Sequence, residues 1–372
     1  MSEARVGRIS NENNTGGPII SGITTFSGQN YFVPPKGTTA DRPSNCPVGS
    51  IRFNTDSAKL EYFDSLQWLE MEAFNVELGV SGALGNRGLF GGGSLTPTGN
   101  SNVIDYITIT TLGNALDFGD LTEEKRNMPA SFASSTRGIW TGGYVGPAGS
   151  NVINFVTISS TGNASDFGDL TVARGGMGGL SSSIRGLTCG SADPSTNTID
   201  YITIASTGNA VDFGDLNNIA RYNQTCASST RGIIAGGRTP TTLNVIDYVT
   251  IATTGNAVDF GDIQTASDLN SGCSNSTRGL LLTNANSNRQ IDFITIASLG
   301  NSQTFGDRTV SADYNGACAS STRGVFGGGY TPTSTNIIDY VTILSQSNAI
   351  DFGDLTVARH ALAACSNGHG GL

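Results

Sequence analysis

Few side chains in this 372-residue chain could do chemistry: six Cys, two His, and acids that recur inside repeated phrases. Cys226, Cys273, Cys318 and Cys365 fall at one repeated position, which Phe132 and Leu180 occupy in two other copies. A position that accepts Phe, Leu or Cys is an apolar packing position, because free Cys packs as a small hydrophobe. Equivalent residues of neighbouring repeats are also poorly placed for disulfide geometry. Cys46 and Cys189 are left over, as fits a reducing compartment at synthesis. His360 and His369 both lie near the C-terminus, and nothing marks a Ser-His-Asp set. No catalytic residue, metal or cofactor is therefore expected.

The acids are the next candidates. The letters DFGD match the magnesium-holding loop of protein kinases, but no Gly-rich nucleotide loop, catalytic Lys or HRD segment accompanies them. Pairs such as Asp259 and Asp262 are too sparse to fill the six or more oxygen positions of calcium. The phrase reads instead as the end of a strand, where Gly and Asp begin a turn. A second set, Asp105, Asn154, Asp200, Asp247, Asp292 and Asp339, sits among apolar residues. An Arg precedes each member: Arg87, Arg137, Arg185, Arg231, Arg278 and Arg323. A buried carboxylate needs a partner, and Arg can engage it with two hydrogen bonds. Six equivalent Arg–Asp (once Arg–Asn) pairs are the expectation.

These residues recur because the chain repeats itself. The phrase GNAxDFGDL returns six times, its Phe at Phe118, Phe167, Phe213, Phe260, Phe305 and Phe352, so the intervals are 49, 46, 47, 45 and 47 residues. A phrase like NVIDYVTI precedes each copy, and one like ASSTRGIxxGG precedes that. Four strands of ~5–6 residues with four connections of ~4–6 residues need ~36–48 residues. The period therefore predicts a four-stranded unit, and no 3.6-residue pattern argues for helices. In the fourth unit, strand A is expected near Asn223–Ser228 and strand B near Gly232–Gly236. Strand C is expected near Val245–Ala252, and strand D near Ala257–Gly261. Composition agrees: Gly is 50 of 372 and charged residues are 13%, about half the usual ~25%.

The order of Arg, strand A, strand B ending in Gly-Gly, an aromatic on C and an aromatic on D resembles the kelch repeat. Arg221, Gly236, Gly237, Tyr248 and Phe260 carry the likeness in the fourth unit. Phe stands for the kelch Trp, and units three and five lose Gly-Gly (Gly190–Ser191, Thr283–Asn284). The resemblance spans residues 79–372 and implies an all-β, six-bladed propeller of four-stranded blades. ARHALAACSNGHGGL at the C-terminus reads as a spare strand A, with Cys365 at its anchor position, that completes the first blade. The first unit's own strand A is weak, with Gly82 at that anchor. A copper oxidase of kelch type would need His ligands beside Tyr, and no second helper for His360 is evident.

Residues 1–30 read as an extended polar arm ordered by neighbours, and residues 31–78 as a small β-module. Within it GSIRFNTDSAKLEYFDSLQW resembles a short module of bacteriophage tail-fibre and virion structural proteins, through Arg52, Phe53, Asn54, Thr55, Asp56, Leu60, Glu61, Tyr62 and Trp68. That likeness covers residues 37–70. Similar chains joining such a module to kelch-like repeats occur among phages of marine cyanobacteria. It implies a virion location, contacts with other virion proteins, and a homo-oligomer, with a trimer expected. The B–C connections are the longest and most varied loops, and loops on a rigid frame carry recognition. Tyr144, Arg238 and Tyr330 are the large side chains there, of types favoured at binding hot spots. A glycan or protein of the host surface is the expected partner. The plainer alternative is loops that merely vary. A decoration protein without a receptor role and a carbohydrate-active or oxidising enzyme are the competing readings. Net charge is −10 and Lys is confined to Lys36, Lys59 and Lys125, so no nucleic-acid partner is expected. No run of 18 apolar residues exists, so no membrane insertion is expected, and the N-terminus lacks the apolar core of a signal peptide.

Overall fold

The structure, a computed structural model, describes residues 34–57, 59–71, 87–97, 99–126, 130–283 and 285–372. The chain divides into two compact units, Met1–Asn75 and Val76–Leu372. The expected arm (residues 1–30), the expected boundary at 78/79 and Gly82 lie outside the described residues. No helix among the described residues is long and apolar enough to cross a membrane.

In the first unit, Ile51–Asn54, Lys59–Phe63 and Trp68–Glu70 form an antiparallel meander, and Lys36–Gly37 adds parallel to Phe53–Asn54. Its centre is ionic. Glu61 is fully buried, with Arg42 Nη2 at 2.6 Å and Arg52 Nε at 3.3 Å, and Asn54 Nδ2 donates to it at 3.2 Å. Burial alone would raise its carboxyl. Hydrogen bonds from Arg42 and Asn54, with the charges of both arginines, outweigh it and hold the group below its ordinary value.

The second unit is all-β and built mostly of four-stranded antiparallel sheets, one of them extended by a fifth short strand, with one short helix, Ala285–Asn288, among its described residues. In the fourth sheet, strands A to D are Gln224–Ala227, Arg231–Ala235, Val245–Thr250 and Val258–Asp262. β-Branched and aromatic residues fill strand C, as a sheet buried on two sides requires. The DFGD phrase ends strand D as expected, but its Gly and Asp are paired within the strand and do not begin a turn. Gly261 faces Ile246 and Asp259 faces Asp247, so Phe260 bulges out of register. Gly261 has φ +150, and a Cβ there would stand 2.6 Å from the Gly300 carbonyl oxygen of the next sheet. Glycine is needed for the conformation and for that close approach. At the C-terminus, Ala363–Ser366 pairs with Arg87–Gly91, Cys365 opposite Leu89, and serves as strand A of the first sheet.

Apolar side chains are buried between successive sheets. Cys226, Ile233, Ile246 and Phe260 of the fourth sheet pack with Leu281, Ile294 and Ile296 of the fifth. The anchor residue of each strand A presses onto the glycine that follows the next sheet's Arg. Cys226 Sγ would be 2.6 Å from a Cβ at Gly279, and a Phe132 ring carbon 1.8 Å from one at Gly186. The four anchor cysteines are free and buried, in keeping with packing. Burial raises Cys273 and Cys365 to about 12, and raises Cys226 and Cys318 as well. Thiols held protonated in this way are poor nucleophiles.

The expected Arg–Asp pairs on one sheet do not form. Arg231 stands opposite Thr250, while Asp247 stands opposite Ile234, three residues along. An odd separation in a strand puts the two side chains on opposite faces. Each Arg instead lies over its own strand-C aromatic, from 4.4 Å for Arg231 on Tyr248 to 4.8 Å for Arg137 on Phe155. It also donates to a backbone carbonyl of the next sheet: Arg87 to Ile158, Arg137 to Ile204, Arg185 to Ile251, Arg231 to Ile296, Arg278 to Ile343 and Arg323 to Ile109.

Four of the five strand-C acids take partners from the preceding sheet, and Asp292 takes its partners from its own. Asp200 pairs with Arg174 at 3.0 Å, Asp339 with Arg308 at 3.0 Å and Asp105 with Arg359 at 2.9 Å, all buried. Asp247 accepts from the Asn217 side-chain amide at 2.8 Å and from the Asn217 backbone N–H at 3.3 Å, both neutral donors, and burial raises its pKa. Asp292 accepts from Gln290 and Ser302. Where the acid becomes Asn154, the buried cation is Lys125, whose Nζ donates to the Val152 carbonyl at 2.8 Å. Burial lowers Lys125 to about 8. Asp339→Asn strands the Arg308 charge inside the protein and is expected to lower stability by about 3–5 kcal/mol. Asp247→Asn strands no charge and should cost under about 1 kcal/mol, on the scale of one neutral hydrogen bond. Urea denaturation of the two variants checks the contrast.

Candidate functional site

On one face of the repeat unit the B–C connections meet the segments that lead into strand A. Tyr144, Arg238 and Tyr330 each follow a Gly-Gly pair and hold equivalent places. Their backbones bridge lead-in residues: Tyr144 with Arg126, Arg238 with Arg221, Tyr330 with Asp313. In the first sheet the same bridge joins Ser94 to His360.

Equivalent backbone does not give equivalent side chains. Tyr144 is 8% exposed, its ring packed over Gly175, so it is a packing residue and not a presented one. Burial, then the neighbouring Tyr222 and Asp193, raises its phenol. Arg238 is partly exposed, and its Nε lies 2.8 Å from the buried Asp268 carboxylate, so its charge is already matched. Tyr330 is 41% exposed and is the presented member of the three.

Around Tyr330 stand residues that loop length and composition did not single out. The His360 ring lies 5.0 Å from Tyr330 and 6.1 Å from Tyr314. Ser334 Oγ is 2.9 Å from His360 Nδ1 and 2.7 Å from Thr96 Oγ1, which ties a loop of the sixth sheet to one of the first. Ser94 and His360 exchange backbone hydrogen bonds of 2.6 and 3.0 Å. Burial lowers the His360 pKa and so favours the neutral imidazole. Ser94, Thr96, Tyr314, Tyr330 and His360 line a cleft of about 600 Å³ that also includes Asn100 and Arg126. That lies within the ~300–1,000 Å³ of small-ligand sites.

Tyr314 was legible in principle. It shares its place before strand A with Gly176, Tyr222, Leu269 and Ala361, all at φ between +54 and +70. Each N–H in this series donates to the carbonyl of the one before: Tyr222 to Gly176, Leu269 to Tyr222, Tyr314 to Leu269, Ala361 to Tyr314. Aligning the six lead-ins would reveal that Tyr314 and Tyr222 are the large aromatic side chains at this place.

The space between the A strands is a poorer site. Its cavities are about 50 Å³ each, room for a few waters. The C-terminal tail lies along it. His369 Nε2 contacts the Ala133 carbonyl at 2.8 Å, its Nδ1 accepts from Gly371 N–H, and Gly370 N–H donates to the Ser274 carbonyl at 2.8 Å. Among the described residues no group of three His, Cys, Asp or Glu could hold a metal ion. The face offers hydrogen-bond and ring recognition. No family model and no curated protein matches the chain.

His369 is buried as the neutral base, with its pKa pushed below the ordinary 6.5 by burial and partly restored by the Ala133 carbonyl. The folded protein then binds fewer protons than the unfolded chain below that value. Its stabilising share is complete above about pH 6.5 and declines as pH falls. His369→Asn is expected to flatten the fall of the thermal midpoint between pH 7 and 5, leaving the remaining slope to His360 and the carboxylates.

Proposed function

We propose that the repeat unit is a closed six-bladed, kelch-like β-propeller and that the chain is a bacteriophage virion structural protein. In this reading residues 31–78 attach it to the particle and the propeller projects outward as a tail-fibre or baseplate appendage. Closure is supported by the bonds that return from the sixth sheet to the first. Arg323 donates to Ile109, Asp354 N–H to Asn114, and Cys318 packs on Gly88. Each repeats a bond made at every earlier junction.

The observation that carries the virion reading is the phrase in residues 49–68, GSIRFNTDSAKLEYFDSLQW, with its likeness to tail-fibre modules. Its Arg52, Asn54 and Glu61 form the ionic centre of a compact meander, so the matched residues are those that hold the module together. The protein works by multivalent adhesion, in which weak loop contacts are multiplied by copy number. Trimerisation through the module would supply that number. Its partners are virion proteins at one end and a host-surface glycan or protein at the other. The test has two parts. Mass spectrometry of purified particles should find the chain. An excess of the full-length protein should slow particle attachment to host cells. Absence from particles would end the virion reading, and unhindered attachment would leave a decoration protein.

A further inference from the structure

We propose that the cleft of Thr96, Asn100, Arg126, Tyr314, Tyr330 and His360 binds an acidic saccharide, a uronic-acid-containing chain. This deepens the adhesion reading and rests on it for its biological setting. The cleft is a built site. Loops from both ends of the repeat region meet there and are fastened by the Thr96–Ser334–His360 hydrogen bonds and the Ser94–His360 backbone pair. Fastened loops lose little entropy when a ligand binds.

The ligand class follows from ring geometry and charge. Tyr330 and His360 are inclined by 57°, and Tyr314 and His360 by 74°. Rings so inclined cannot sandwich a flat base, but they can border a puckered pyranose and offer their faces to its C–H groups. Tyr330 is exposed enough to do so. His360 uses Nδ1 on Ser334, which leaves Nε2 for a sugar hydroxyl, and Asn100 and Thr96 add polar groups at the rim. Among the described residues lining the cleft Arg126 is the one that is formally charged, in a chain of net charge −10. Its Nε and Nη2 are held by the Gly146 carbonyl at 3.3 and 2.8 Å, so the guanidinium is fixed with Nη1 still to offer. A fixed guanidinium suits a carboxylate, through charge-assisted hydrogen bonds.

The probe pair is an oligogalacturonate and its methyl ester, which differ in charge and little in shape. By titration calorimetry with the full-length protein, the acid should bind at least tenfold more tightly than the ester. Arg126→Gln should remove that preference. Tyr330→Ala, at an exposed site, should weaken both ligands at least tenfold with unchanged circular dichroism. Val211→Ala, exposed and far in sequence from every cleft residue, should change neither. No binding, equal binding of acid and ester, or binding indifferent to Arg126→Gln and Tyr330→Ala would overturn the assignment. Failure here is separable from failure of the adhesion reading. If the protein still blocks particle attachment but oligogalacturonate does not compete, the cleft assignment falls and adhesion stands. If oligogalacturonate binds as expected but particles lack the chain, the cleft stands and the virion role falls.

Discussion

Each sheet of the repeat unit has two apolar faces and can bury neither alone, so everything else depends on how one sheet locks onto the next. The lock has a polar and an apolar part. The arginine at the start of strand B lies on its own sheet's aromatic and reaches the next sheet's isoleucine carbonyl. A charged hydrogen bond of this kind contributes about 1.5–3 kcal/mol, and the ring contact about 0.5–2 kcal/mol. Beside it, the anchor side chain of strand A enters a gap that exists because the residue after the next arginine is glycine. Burying apolar side chains, at ~1.5–3 kcal/mol each, supplies more in total. It does not set position, however, because hydrophobic contact is non-directional. The arginine and the glycine fix the register of one sheet against its neighbour.

The buried acids serve the same junctions unevenly. Asp105, Asp200 and Asp339 meet a buried guanidinium from the preceding sheet, whereas Asp247 and Asp292 meet neutral donors. Buried ion pairs add little net stability over apolar replacements, because desolvation offsets attraction. Breaking one is expensive, so a wrong neighbour is penalised. Near-identical sheets could exchange places with modest loss of apolar contact. Giving some junctions a matched charge and others an amide or hydroxyl makes the correct order the lowest in energy.

Much of this was readable in the residues. The 45–49-residue period gave the four-stranded unit, and the spare strand around Cys365 gave the pairing with Arg87–Gly91. The alternation of Phe, Leu and Cys at one position identified the anchor. Two readings went astray for a shared reason. Arg231 and Asp247 were matched by type and proximity, but strand parity puts them on opposite faces. The DFGD phrase was read as a strand end whose Gly and Asp begin a turn; it does end strand D, but a bulge opposite Asp247 keeps Gly261 and Asp262 paired within the strand. Parity and bulges belong to register, which composition does not encode. The cleft was less legible still. Of Tyr144, Arg238 and Tyr330, only Tyr330 belongs to it, because a lead-in glycine lets Tyr144 fold down onto Gly175 and Asp268 neutralises Arg238.

The position of the cleft follows from the repeat itself. A repeating unit presents similar loops at every junction, so a distinct site needs a place where the repetition fails. Here it fails where the chain's last strand joins its first sheet, and the lead-in there carries His360 in place of the arginine or aspartate found at Arg221 and Asp313. Burial favours the neutral form of the histidine in this setting, so it can bond Ser334 without demanding a counter-charge. The junction thereby keeps its backbone bridge while releasing its side chains for other contacts. The pairings that hold the sheets together use backbone groups, arginines and small residues. Variation at the side chains of the lead-ins and loops is therefore tolerated, and a rigid repetitive frame can carry one irregular face.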